Sequence, residues 1–197
     1  MFTLLVAVAA AAAAPVAEPA ADESPAFDVG VSYIGDVMAV LDGGLARKAR
    51  YLDNANLTLD ADLERLIAWP GALVHIDLLY NGGGNPNDDA GTLQGVDNIE
   101  VSLHRGRLFE AWMQQSFGNG HSLRLGLYDL NSEFYSTESA GALMAPAFGI
   151  GSEIAATGPN GPSIFPSTAL AARLDVSLGG ARYVRFAALN ASAGVLG

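Results

Sequence analysis

Between Asn54 and Glu64 apolar and polar residues alternate without a break. Ala55, Leu57, Leu59, Ala61 and Leu63 share one parity, and Asn54, Asn56, Thr58, Asp60, Asp62 and Glu64 share the other. Successive side chains of a strand point to opposite faces, whereas a helix would scatter this pattern around its axis. The segment therefore reads as a strand with one apolar face, and the helical alternative fails. The same period recurs downstream. Val74, Ile76, Leu78 and Tyr80 oppose His75 and Asp77; Ile99, Val101 and Leu103 oppose Glu100, Ser102 and His104; Phe109, Ala111 and Met113 follow. Leu123, Leu125 and Leu127 then oppose Ser122, Arg124 and Gly126. Ala172, Leu174, Val176 and Leu178 oppose Arg173, Asp175 and Ser177, and Val184, Phe186 and Ala188 flank Arg185. With a first strand over Val29 to Leu41, about seven strands are expected, several near the ~10 residues of a membrane-crossing strand.

The stretches between them carry turn chemistry. Asn81 to Gly91 is polar, rich in Gly and Asn, and broken by Pro86, so it reads as a loop. Arg105 and Arg107 interrupt an apolar parity, which predicts a bulge or a strand end near Gly106. Phe117 to His121 reads as a tight hairpin, because Asn and Gly tolerate positive φ. Asn131 to Ser167 shows no sustained alternation and reads as a large loop with one helical turn around Ser139 to Met144; loops of that length are usually functional.

Met1 to Ala14 is almost wholly apolar, and an acidic, proline-bearing stretch from Pro15 to Pro25 follows. The apolar run is short of the roughly 20 residues a spanning helix needs, and small residues follow it, so residues 1–26 read as a signal peptide and leader, although no Lys or Arg precedes the run. The mature domain is then expected over 27–197. Cysteine is absent, which removes disulfides, thiolate metal sites and cysteine nucleophiles. A formal net charge of -11 argues against nucleic acid, since a phosphate backbone needs a basic surface to release its counterions.

Alternation alone does not separate a membrane barrel from a soluble exported β-sandwich, whose inner face packs a core. Three features favour the membrane: the export signal, strands with no charge on the apolar parity, and aromatics near strand ends at Tyr51, Trp69, Tyr80, Phe117, Tyr128 and Tyr183. In lipid a sheet must close, because each unpaired backbone group costs several kcal/mol. The fold class expected is all-β, an antiparallel transmembrane β-barrel, with the β-sandwich binding protein as the alternative.

The segment Asp53 to Glu64, followed by Ile67-Ala-Trp-Pro-Gly71, resembles the early strands and Trp-x-Gly turn of the carbohydrate-selective (OprB-type) porins. Gln94 to Glu100, Arg107 to Trp112, Leu123 to Asn131, Glu133 to Tyr135, Asn160 to Ile164, Phe165-Pro166 and Ala169 to Asp175 resemble successive blocks of that family, in order. The resemblance runs from about Tyr33 to the end, and an ordered series is more specific than any single motif. It implies a ~16-stranded outer-membrane barrel that admits sugars passively, of which this chain is the N-terminal part, about half. It also implies sugars as permeating solutes, outer-membrane lipid as surroundings, and homo-oligomers as an option.

Sugar selectivity needs hydrogen-bonding groups that project into a narrowed, water-filled lumen. The polar parity nominates His75, Asp77, Glu100, Arg124, Arg173, Asp175 and Arg185, with Arg124 and Arg173 foremost because they stand in otherwise uncharged strand centres. Asp60, Asp62 and Glu64 share that parity. No cofactor is expected. His75 and Asp77 could begin a metal site, but no third ligand stands at diagnostic spacing, and the Asp88-Asp89 loop lacks a calcium-loop pattern, so no metal is expected either. No Gly-x-Ser-x-Gly elbow, P-loop or dinucleotide fingerprint occurs. The chain does not read as an enzyme; only His104 or His121 would offer a hydrolase a base.

Overall fold

A computed structural model of the chain describes residues 25–194 and the backbone of Ala7–Ala9. The leader expected over residues 1–26 lies almost wholly outside the described residues. Seven long strands follow one another: β2 (Phe27–Ala39), β3 (Ala49–Asp62), β4 (Ala72–Gly83), β5 (Gly106–Phe117), β6 (His121–Tyr128), β7 (Ala169–Ser177) and β8 (Tyr183–Leu189). All pair antiparallel with their sequence neighbours in one sheet, and a short β1 (Ala7–Ala9) pairs with β8. The sheet is open between β1 and β2. β3 has 14 residues and β2 has 13, well beyond the 5–6 usual in soluble sheets and long enough for a tilted membrane crossing.

The two faces of this sheet are inverted relative to a soluble fold. On the apolar parity Val31 is 78 %, Leu57 45 % and Leu125 51 % exposed, while on the polar parity Asn54 and Asp77 are 7 % and Arg173 is 3 % exposed. A β-sandwich would cover the apolar face with a second sheet, but the described strands form only one. Hydrophobic side chains on the outside and polar ones inside is the arrangement of a barrel wall in lipid.

Differences from the sequence reading have local causes. Leu63 and Glu64 do not continue β3: the Asp62 carboxylate accepts the backbone N–H groups of Glu64 (2.9 Å) and Arg65 (3.3 Å), capping the short helix α1 (Leu63–Ile67). Ile99, Val101 and Leu103 do not form a strand. Asp97 accepts the Ile99 N–H at 3.0 Å and Asn98 donates to the Met144 carbonyl, so the backbone is engaged in turn and loop contacts instead of a ladder. The strand end expected near Gly106 is the start of β5, and the bulge lies three residues further on. Asp77 pairs with Glu110 and Leu78 with Leu108, leaving Phe109 between them without a partner. Phe109 is buried despite the apolar parity it was assigned, because the extra residue changes its phase.

Gly118–Gly120 makes the tight β5–β6 connection, with Asn119 at φ 66°. The long segment after β6 is more ordered than its composition suggests. It carries short turns at Leu130–Ser132, Ala140–Ala142 and Pro146–Phe148 and a helix α3 (Ser152–Ala155), the second of these falling on the expected helical turn. Leu130 and Phe134 from this segment pack on Trp112, Tyr128, Ala187 and Leu189, forming a small apolar cluster on the polar side of the sheet. Tyr128 therefore points inward and is 1 % exposed instead of joining an interfacial girdle. Tyr183 likewise shares the parity of Arg185, its ring 5.1 Å from that guanidinium. Tyr51, Tyr80, Trp69 and Phe117 are exposed as expected.

Candidate pore-lining site

Strand register carries the site. Gln114 stands opposite Arg124, Arg124 opposite Arg173, and Asp175 opposite both Ser122 and Arg185, so these side chains share the polar face across β5 to β8. Three arginines on adjacent strands would repel one another without a counter-charge. Glu133, from the covering segment, supplies it. Its Oε1 lies 2.7 Å from Arg173, 3.6 Å from Arg185 and 3.7 Å from Arg124. Asp175 completes the group, 3.1 Å from Arg173 and 2.6 Å from the Arg185 Nε. Ser122 accepts a further hydrogen bond from Arg173 at 2.7 Å, and the Gln114 carbonyl accepts from Arg124 and Arg173 at 3.0 and 3.1 Å. Burial works against the charge on Glu133, but hydrogen bonds from Arg173 and Tyr128 and the nearby Arg124 outweigh it, holding its carboxyl below the usual range.

The other half of the same face is acidic. Asp60 stands opposite His75, His75 opposite Trp112, and Asp77 opposite Glu110. The His75 Nδ1 is 2.8 Å from Asp60, and its ring stacks on Trp112 with centroids 4.7 Å apart. The Arg124 guanidinium lies 3.8 Å from the Trp112 ring centre, so the indole joins the acidic half to the basic one. Asp129, at the end of β6, donates its backbone N–H to Glu110 at 2.9 Å. Burial, with the nearby Glu110 charge, pushes its own carboxyl up to about 7.

Of the residues nominated from parity, Arg124, Arg173, Asp175 and Arg185 are thus brought together, and His75 and Asp77 form a second group a strand away. Glu100 joins neither. With no strand at Ile99 to Leu103, it has left the parity that nominated it, and its carboxylate accepts the Asn87 N–H at 3.1 and 3.2 Å at the start of helix α2 (Asn87–Ala90). Sequence reasoning missed Glu110, Trp112 and Gln114, although all three stand opposite the parity of Ala111 and Met113 and could have been found from it. It also missed Glu133, which sits in a segment without periodicity and has no such signal.

Residues 46–197 match the family model described as carbohydrate-selective porin, OprB family. No curated protein matches the chain. Among solved structures, the chain is similar to the high-pH structure of OprB from Pseudomonas putida, with a TM-score of 0.72 and 22% identity over 83% of this chain and 40% of that one. At that identity the likeness bears on the fold, and it agrees with the inverted faces of the sheet. The family match spans well over half the chain, and the chain belongs to the OprB family of carbohydrate-selective porins, β-barrel proteins of the bacterial outer membrane.

Proposed function

We propose that the polar face described above lines a water-filled pore for passive, carbohydrate-selective diffusion across the outer membrane, with monosaccharides as the solute class. The observation that carries this reading is the convergence of Arg124, Arg173 and Arg185 on Glu133, under a segment folded onto the polar face. Guanidinium groups offer several directed donors to hydroxyl oxygens, and the carboxylates of Glu133 and Asp175 offer acceptors, so a sugar meets both kinds of partner. Within the group Arg173 is buried and fully engaged, whereas Arg124 is less enclosed and holds Glu133 only at 3.7 Å, so Arg124 is the better placed to exchange partners with a solute. Family membership implies a channel, not an enzyme, and nothing in the acidic or basic half requires a chemical step.

The test is conductance of the purified porin in planar bilayers titrated with a monosaccharide, alongside flux into liposomes. Monosaccharide-dependent block together with sugar flux supports the assignment. Open channels indifferent to sugar, or recovery of the protein as a soluble monomer without detergent, would overturn it.

A further inference from the structure

The acidic half contains a group that strand register completes and sequence spacing does not. His75 and Asp77 lie two residues apart on β4, and the missing third ligand, Glu110, comes from β5, where it pairs with Asp77. One ligand atom from each of the three residues lies within 4.8 Å of the others. Ligands of a tetrahedral zinc ion, at about 2.0–2.1 Å from the metal, stand roughly 3.4 Å apart, so binding would draw the set in by at most about 1.4 Å.

What surrounds the three residues is the stronger observation. Each carries an outer hydrogen bond that fixes it. Asp60 holds the His75 Nδ1 at 2.8 Å, which in the neutral ring places the lone pair on Nε2. The Asn56 amide holds both oxygens of Asp77 at 2.9 Å, in a side chain only 7 % exposed. Glu110 receives the Trp112 indole N–H at 3.2 Å and the Asp129 N–H at 2.9 Å, both on Oε1. Its Oε2 faces the His75 Nε2 at 4.0 Å. A histidine oriented by a carboxylate, next to two carboxylates oriented by neutral donors, is the outer arrangement of a metal centre. We infer that His75, Asp77 and Glu110 form a divalent-cation site on the polar face. One imidazole with two carboxylates favours a borderline first-row ion, of which zinc is the working probe.

The experiment is zinc titration of the purified porin in detergent by calorimetry, with anomalous diffraction at the zinc edge on crystals soaked at equimolar metal. The expected result is one equivalent bound at micromolar concentration or tighter, with an anomalous peak between His75, Asp77 and Glu110. Glu110→Gln, which retains the acceptor for Trp112 and Asp129, should weaken binding at least tenfold, and His75→Ala should abolish it. Asp60→Asn should weaken it 10- to 100-fold while the peak stays in place. Retention of the folded band in unheated gel electrophoresis shows that each variant has formed its barrel. No binding to the native porin, a peak elsewhere, or equal affinity in folded Glu110→Gln would overturn the inference. The readout is metal occupancy, so it stands apart from sugar conductance.

Discussion

The two halves of the polar face hold their charged groups by different means. On β6 to β8 three arginines are held by two carboxylates, and the geometry is close-knit: Arg173 alone engages Glu133, Asp175, Ser122 and Gln114. On β3 to β5 three carboxylates surround one histidine, and their hydrogen-bond donors are mostly neutral: an amide, an indole and a backbone N–H. The basic half owes its order to ion pairs that would be costly to break. The acidic half is held in shape by neutral donors while its charge remains uncompensated, which is how a surface is arranged when it must meet a cation from outside.

Removing the centre of the basic half should have the largest effect. Arg173→Ala removes the closest cation from Glu133 and leaves Asp175 to Arg185 alone, and is expected to cost about 3 kcal/mol, read from denaturant unfolding of the folded barrel. Its counterpart in the acidic half, Asp60→Asn, should cost under about 1 kcal/mol because Asp60 is partly exposed. Equal losses would erase the contrast between the halves. Next comes the seam. Gly126 lies opposite Trp112 at φ 140°, and a Cβ there would run into the Ala111 carbonyl and Trp112. Gly126→Val should cost about 1–3 kcal/mol and shift the tryptophan fluorescence as the indole loses its place between His75 and Arg124. Arg124→Ala should change sugar flux more than stability; lost folding with unchanged flux in the surviving protein would count against its proposed role.

The smallest effect is the most discriminating, because the halves should answer pH in opposite directions. Glu133 has a lowered carboxyl, so its stabilising contribution is present above about pH 4.5 and is lost as pH falls through its folded value. Asp129, beside Glu110, is raised to about 7 from 3.8, so its contribution is fully present below 3.8 and is lost as pH rises towards 7. Amide protection factors of residues 129–134, which divide out the intrinsic pH dependence of exchange, should therefore be greatest between about pH 4 and 5. Asp129→Asn, which can still accept the Asn131 N–H, should flatten only the alkaline limb, and Glu133→Gln only the acid limb.

Much of this was legible in the chain because one period governs both faces. The alternation at Asn54 to Asp62 places β3, and the parity of Arg124, Arg173, Asp175 and Arg185 places them together once neighbouring strands pair. What the period does not contain is what lies outside strands. Glu133 reaches the arginines from a loop, and no spacing announces it. Ile99 to Leu103 alternates correctly yet forms no strand: Asp97 takes the Ile99 N–H, and the Met144 carbonyl takes that of Asn98 just before it. Glu110 was readable by parity, but its meeting with His75 and Asp77 depends on a register that no single strand encodes.

The extra residue at Phe109 has a consequence beyond its own strand. A barrel wall is a two-sided fabric in which every residue is committed to lipid or to water, and a loop entering the interior has no natural place to grip it. By slipping one residue out of phase, β5 offers an inward ring that meets Phe165 edge-on and a carbonyl that accepts the Thr168 hydroxyl. Leu108 nevertheless still pairs with Leu78 of the apolar face. The wall thereby carries its own hook, and the returning end of the segment that bears Glu133 is fastened at a fixed height above the arginines. Deleting Phe109 would restore an unbroken ladder and, with it, a smooth interior from which the returning end of that segment has lost this attachment.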